Sequence, residues 1–409
     1  MKKEDSVTLS SREQRRLMVL NQLGSGALVN SEAAALLGLS IRQVRRLRGQ
    51  YGRRGAAALS HGNRGRRPVN AVNARISEKV VELASGRYAG FNHQHLTEML
   101  AEQEQIQLSR STVHRILATA GMLSPRRHRS PRRHHRRDRF PREGMLLQID
   151  ASRHDWLEGR GPYLSLVGAI DDATGLVPWA CFREQEDAEG YFELLRQTLR
   201  RKGLPLALYS DRHGIFFKTK DKELSLEEQM DGRRNPTQFG RLLSELGIQL
   251  ILARSPQAKG RVERLWGTFQ DRLTSELRLA GATTKADADQ VLSRYLPRHN
   301  RRFSVAANDS TPAWLPPPDW RRLDQLFCFK YRRVVANDHT VQFAAQVIDI
   351  PAGGPRPSYA RAEVELRHYF DGTIAVFFQD CCLVKKQLPR ETSYRVAAHS
   401  VAASLEQPP

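Results

Sequence analysis

Three carboxylates in the middle of the sequence stand out, two at the ends of apolar runs and one within a helical pattern. Asp150 follows Gly144-Met-Leu-Leu-Gln-Ile149, Asp211 follows Leu204-Pro-Leu-Ala-Leu-Tyr-Ser210, and Glu263 lies in the helical pattern that begins after Ser255-Pro256. Carboxylate oxygens suit a hard cation such as Mg2+, which seeks octahedral oxygen coordination and keeps positions open for water and phosphate. Two such ions serve in-line displacement at phosphorus, one lowering the pKa of the attacking oxygen and the other stabilising the leaving oxygen. Any one of these acids alone reads as an ordinary strand-end or helix-surface carboxylate, so the chemistry depends on the elements that bring them together.

The neighbouring sequence supplies those elements. Residues 144–152 and 163–171 read as strands, and 177–182 as a third after the turn Asp172-Ala-Thr-Gly175, which predicts an antiparallel meander. Residues 186–202 carry Tyr191, Leu194, Leu195 and Leu199 at helical spacing and end at Gly203, before the strand leading into Asp211. A helix over 237–246, a strand over 248–252 and a long helix through Leu279 complete the order. Three strands, helix, strand, helix, strand, helix predicts mixed α/β layers. Asp150 then lies on the first strand, Asp211 at the end of the fourth and Glu263 on the helix after the fifth, the order of ribonuclease H-like domains.

Leu147-Gln-Ile-Asp150, Tyr209-Ser-Asp-Arg-His-Gly214 and Ser255-Pro-Gln-Ala-Lys-Gly-Arg-Val-Glu-Arg-Leu-Trp-Gly267 resemble the Asp-Asp-Glu integrase core, nearest to the ISNCY-type insertion-sequence transposases. His154-Asp-Trp-Leu-Glu158, Asp171-Asp-Ala-Thr-Gly175 and Thr237-Gln-Phe-Gly240 are similar to the same group, so the match spans most of 144–279. The resemblance implies that Asp150, Asp211 and Glu263 are catalytic metal ligands, with Asp150 bridging two Mg2+ ions for which Mn2+ substitutes. It implies cleavage at transposon ends and strand transfer into target DNA, by a homodimer or larger assembly on double-stranded DNA. The sequence departs from retroviral integrases in lacking a His/Cys zinc module and in carrying Arg-His-Gly after Asp211 where they usually have Asn-Gly. The separation of Asp211 from Glu263 is also longer, which a charged insertion over 216–235 accounts for. A nuclease of the same fold and a helix-turn-helix repressor without catalysis are the alternatives.

Around these acids, Asp155, Asp171 and Asp172 compete as carboxylates, but the turn gives Asp171 and Asp172 a purpose as Asx-type turn formers. His213 suits orientation or packing better than general-base work. Lys259 and Arg261 would set positive charge beside the phosphates being cut, and Trp266 reads as core packing.

The charge balance supports a polyanionic partner. The 409 residues hold 65 Lys and Arg against 44 Asp and Glu, a formal net charge of +21. No apolar run approaches the roughly 18 residues of a membrane span, and residues 1–16 lack a signal-peptide core, so no membrane role and a bacterial cytoplasmic, nucleoid-associated location are expected. Cys181, Cys328, Cys381 and Cys382 show no zinc spacing; of the adjacent pair Cys381 and Cys382, one is expected to be buried.

The remaining chain reads as DNA-binding modules. Residues 1–55 carry a helix-turn-helix pattern in which Asn30 caps one helix and Ser40-Ile-Arg-Gln43 forms a capping box for the next. That second helix would present Arg42, Gln43, Arg45, Arg46 and Arg48 to DNA. A second helix-turn-helix-like unit is expected over 70–124, then a basic tether over 125–142 with Arg126, Arg127, Arg132 and Arg133. The catalytic core occupies 143–300, and strand signals over 327–333, 340–350, 362–369 and 373–378, with Asp371-Gly372 as a hairpin turn, predict a small β-barrel over 325–390. The whole is a multidomain α/β chain.

Overall fold

A computed structural model describes residues 8–60, 63, 71–125, 137–217, 236–253, 259–343, 346–353 and 356–387. Arg126, Arg127, Arg132 and Arg133, and residues 218–235 of the charged insertion, lie outside the described residues. The chain divides into two compact units, Met1–Ser77 and Glu78–Pro409.

In the first unit, α1 (Ser11–Gly24), α2 (Asn30–Leu37) and α3 (Ile41–Arg54) close around Leu20, Leu23, Ala33, Val44 and Leu59. Gly38, at φ +62°, ends α2 in the left-handed region, and the Ser40 capping box opens α3. Asn30 does not cap α2. It is the first helical residue, and the Val29 N–H is instead satisfied by Glu32 Oε2 at 2.9 Å. One to three fully buried apolar side chains per helix make this small core, and the remaining faces stay solvated.

The boundary falls within α4 (Ala74–Ser85), whose later turns pack with α5 (His93–Gln103) and α6 (Arg110–Thr119) through Val80, Leu83, Leu96, Leu100, Val113 and Leu117. Asn92 and Ser109 cap α5 and α6 with their side chains.

The central sheet follows. β1 (Leu146–His154) lies between β2 (Leu164–Asp171), antiparallel, and β4 (Ala207–Ser210), parallel. β3 (Ala180–Arg183) pairs antiparallel outside β2, and β5 (Gln249–Leu252) parallel outside β4, giving the order β3-β2-β1-β4-β5. Both faces are covered, which is why every residue of β2 is buried. α7 (Ala188–Arg201) and α8 (Gln238–Leu246) pack on Leu147, Ile149, Val167 and Ala169. α9 (Gly260–Leu279) and α10 (Lys285–Phe303) pack on Leu166, Ile170 and Phe182 from the other side. The expected mixed α/β sheet is present, with strand and helix ends shifted by a few residues.

After α11 (Trp320–Leu326) come β6 (Cys328–Val334), β7 (Thr340–Phe343), β8 (Gln346–Asp349), β9 (Glu363–Tyr369), β10 (Thr373–Phe378) and β11 (Cys381–Gln387). They form a four-stranded sheet, β11-β10-β9-β6, and a separate β7-β8 pair. The expected barrel is therefore corrected: among the described residues the strands do not close, because β7 and β8 pair with each other rather than bridging the sheet edges. Cys381 and Cys382 are both exposed on edge strand β11, and the buried thiol is Cys328. Among the described residues no helix is long and apolar enough to cross a membrane.

Candidate active site

Parallel pairing of β1 with β4 brings two of the three carboxylates together. The last paired residues are Gln148 and Tyr209, and Asp150 and Asp211 each lie two residues further along their own chains. Lys259, at the start of α9, completes the contact: its Nζ donates to Asp150 Oδ1 at 2.7 Å and to Asp211 Oδ2 at 3.2 Å. Burial opposes charge on Lys259, yet its hydrogen bond to Asp150 and the two carboxylate charges hold its pKa above the usual lysine value.

The third carboxylate is positioned by a match of periods. Gln148, Asp150 and Ser152 point from one face of β1 at a spacing of two, while Leu147, Ile149 and Ala151 face the opposite core. Facing them on α9 are Val262, Trp266 and Gln270, at a spacing of four. Val262 N donates to Gln148 Oε1 at 3.2 Å, Trp266 Nε1 to Asp150 Oδ2 at 3.0 Å, and Gln270 Nε2 to Ser152 Oγ at 3.1 Å. Four helical residues rise about 6 Å and two strand residues about 6.6 Å, so helix and strand stay in step over these three contacts. Glu263 is one residue from Val262, four after Lys259 and three before Trp266, and residues so spaced share a helix face. Both flanking residues touch Asp150. The Glu263 side chain itself is exposed.

Trp266 reaches Asp150 because its ring lies against Gly168, the β2 partner of Asp150. A Cβ at Gly168 would stand 2.9 Å from Trp266 Cη2 and 3.3 Å from Ala180 Cβ.

Asp172 has a different task from the expected turn. It is fully buried and accepts from Gln148 Nε2 at 3.0 Å, Arg261 Nε at 2.7 Å, Phe140 N at 2.9 Å and the Arg137 guanidinium. Asp171 is the turn former, accepting from Thr174 N at 2.8 Å and from Gly144 N at 2.8 Å. Asp155 likewise serves a turn, through Gly159 N at 3.1 Å. Arg261 is thus engaged with Asp172 and Lys259 with the two aspartates, rather than presented outward. His213 is exposed, and its backbone N–H donates to Asp211 Oδ1 at 3.0 Å.

A fourth carboxylate, Glu186, faces this group. Burial raises its pKa above the ordinary 4.5, and the charges of Asp150 and Asp211 add to that; the Tyr191 hydrogen bond and His213 oppose it. Tyr191 Oη donates to Glu186 Oε1 at 2.6 Å, and its buried ring packs edge-on to Phe216 at 4.7 Å. Sequence reading passed over Glu186, Gln148 and Ser152. Polar residues alternating with apolar ones at period two were the available signal for Gln148 and Ser152; Glu186 carried none.

The donor set suits a hard cation, since one positive charge already touches an oxygen of Asp150 and of Asp211. Among the described residues no group of three His, Cys, Asp or Glu side chains that could hold an ion is found, and Asp150 and Asp211 share the Lys259 ammonium. In the first unit, Arg42, Gln43, Arg45, Arg46 and Arg48 are all exposed on α3 around buried Val44. Gln43 spends its side-chain oxygen on Ser40 N at 3.0 Å.

No protein-family model matches the chain. It is 36% identical over 375 residues to the "Putative transposase y4bF" of Sinorhizobium fredii (strain NBRC 101917 / NGR234), covering 90% of this chain and 79% of that protein. It is 30% identical over 415 residues to the transposase for insertion sequence IS1202 of Streptococcus pneumoniae, covering 92% and 86% respectively. Similar solved structures include the HTLV-2 integrase catalytic core domain in complex with magnesium, at 17% identity and TM-score 0.26 over 38% of this chain and 84% of that one. Another is the simian T-cell lymphotropic virus intasome in complex with PP2A regulatory subunit B56 gamma, at 15% identity and TM-score 0.32 over 76% and 100%.

Proposed function

The chain belongs to the insertion-sequence transposases, and on that premise we propose that it is of the ISNCY type, with Asp150, Asp211 and Glu263 forming an Asp-Asp-Glu site for metal-dependent DNA cleavage and strand transfer. The observation that carries this reading is the single ammonium of Lys259 within hydrogen-bond reach of both Asp150 and Asp211, beside the helix turn that bears Glu263. The order β3-β2-β1-β4-β5 supports a ribonuclease H-like core.

Asp150, Asp211 and Glu263 would hold two Mg2+ ions, or Mn2+ in their place, which when bound supply activation of the attacking water or 3′-hydroxyl and stabilisation of the leaving 3′-oxygen. Asp150, the most enclosed of the three, would help to hold both ions. Trp266 fixes its orientation through one oxygen, leaving the other to face Asp211. Asp172 and Gln148 dock the first turn of α9 on β1 and so set where Glu263 projects. No nucleotide cofactor is needed for the joining step, because one phosphodiester is exchanged for another.

The remaining parts follow as DNA-handling modules in the division 1–55, 70–124, 125–142, 143–300 and 325–390. In the first, α2 and α3 act as a helix-turn-helix whose Arg42, Arg45, Arg46 and Arg48 meet the major groove and phosphates. Joining needs two ends held together, so the active form is a homodimer or larger assembly on DNA.

The test uses the full chain, labelled DNA from both flanks of its gene, a target plasmid and Mg2+ or Mn2+. Asp150→Asn and Asp211→Asn are each expected to lower cleavage and joining by on the order of a thousandfold while DNA binding persists. Wild-type products that stop at cut DNA would make the protein a nuclease; binding without cleavage in either metal would make it a repressor.

A further inference from the structure

Lys259 is placed where metal-dependent chemistry gives an ammonium no obvious work. Its side chain is only 10% exposed, and its Nζ lies 2.7 Å from Asp150 Oδ1 and 3.2 Å from Asp211 Oδ2. It also stands at the N-terminus of the 20-residue helix α9, where the helix dipole disfavours a cation. The two carboxylates are therefore what hold it there.

The geometry points to Lys259 as an internal counter-ion that competes with the divalent cation for Asp150 and Asp211, so that the metal enters only as the ammonium leaves. This rests on the reading of those two residues as metal ligands. An ammonium has three donors and no lone pair, so it neutralises the carboxylates without being able to share a coordination shell. A hard cation binds the same oxygens directly, at about 2.1 Å, and two cations cannot both occupy the gap between them. The exchange has a route: Asp150 is enclosed, with its side chain 19% exposed, whereas the Asp211 side chain is 46% exposed. The four-carbon stem of a lysine can swing its charge toward that open side. There the freed ammonium would meet the phosphates of a bound strand, so the same side chain serves the pair of aspartates first and DNA afterwards.

Lysine competition lowers metal affinity, and its removal should raise it. Mn2+ binding to the full chain is measured calorimetrically for wild type, Lys259→Met, Asp150→Asn and Asp211→Asn. Lys259→Met keeps the stem and removes the charge. It is expected to bind Mn2+ on the order of tenfold more tightly, the scale on which one neighbouring charge alters a carboxylate's preference. The same variant should be less stable than wild type without metal, since two carboxylates then face each other uncompensated, and Mn2+ should raise its melting temperature by more than it raises that of wild type. If Lys259→Met does not fold without metal, Lys259→Gln melted with and without Mn2+ gives the same comparison. Affinity and melting increments no greater than wild type, with binding lost in Asp150→Asn and Asp211→Asn, would overturn the competition and leave the metal-ligand reading standing. Mn2+ binding unchanged in both aspartate variants would overturn that reading, and the inference with it.

Discussion

Asp150 is engaged on both oxygens, by Lys259 on one and Trp266 on the other, which fixes its carboxylate plane without any contribution from substrate. Nearby, Glu186 is itself partly buried and feels the negative charges of Asp150 and Asp211, so it is harder to ionise in the folded chain than in the unfolded one. An acid with a raised folded-state pKa stabilises the fold most below its ordinary value of 4.5, and that contribution is lost as pH rises through the raised value. Glu186→Gln keeps an acceptor for Tyr191 and removes the charge. Its melting temperature is expected to exceed wild type at neutral pH, with the gain shrinking below pH 4.5; a deficit at neutral pH would show that the ionised form is favoured. The places of Asp150 on β1, Asp211 just after β4 and Glu263 on α9 were legible in the sequence because the two aspartates end apolar runs and the glutamate lies in a helical pattern. Asp172 was not: a buried acid bonded to Gln148 and Arg261 looks, in sequence, the same as the turn-forming Asp171 beside it.

At the scale of elements, α9 does two jobs along its length. Its first three turns run in step with β1 and carry Glu263 on the turn between Lys259 and Trp266. Its second half is the platform for α5: Arg272 Nη1 meets Glu98 Oε2 at 2.5 Å, His95 Nε2 meets Glu276 Oε1 at 3.2 Å, and Asn92 Nδ2 donates to Asp271 Oδ2 at 2.6 Å. These partners are more than 170 residues apart in sequence, so no local pattern announces them, and the helical segment over 70–124 reads from sequence as independent. Strand and helix order, by contrast, was legible because period-two and period-3.6 patterns are local. The barrel failed for the reason that the docking was missed: strand propensity does not say which strands pair. The fit of α9 on the sheet depends on Gly168. Gly168→Ala puts a Cβ 2.9 Å from Trp266, and a rigid buried ring can yield only by moving off Asp150. The expected result is a loss of about 1–3 kcal/mol in stability, seen in denaturant melts, together with reduced strand transfer at unchanged DNA affinity. Full activity in that variant would mean that the contact of Trp266 with Asp150 is dispensable.

For the molecule as a whole, the net charge of +21 favours a polyanionic partner, while the proposed chemistry is assigned to a cluster of carboxylates. That contrast is useful to a transposase. A net positive charge favours phosphates, whereas at paired carboxylates a cation must come between the two. On the proposed reading, the α3 arginines of the first unit would hold an end and the core of the second would cut it. The proposal that unites them is that the second unit cuts and joins DNA with Asp150, Asp211 and Glu263. The most direct measurement is strand transfer by Glu263→Gln beside wild type, on paired labelled ends with a target plasmid and Mg2+ or Mn2+. Glu263 is exposed, so its amide should leave melting temperature and DNA binding near wild type, and joined products should fall by on the order of a thousandfold. Metal-dependent joining at the wild-type rate in Glu263→Gln would contradict the account.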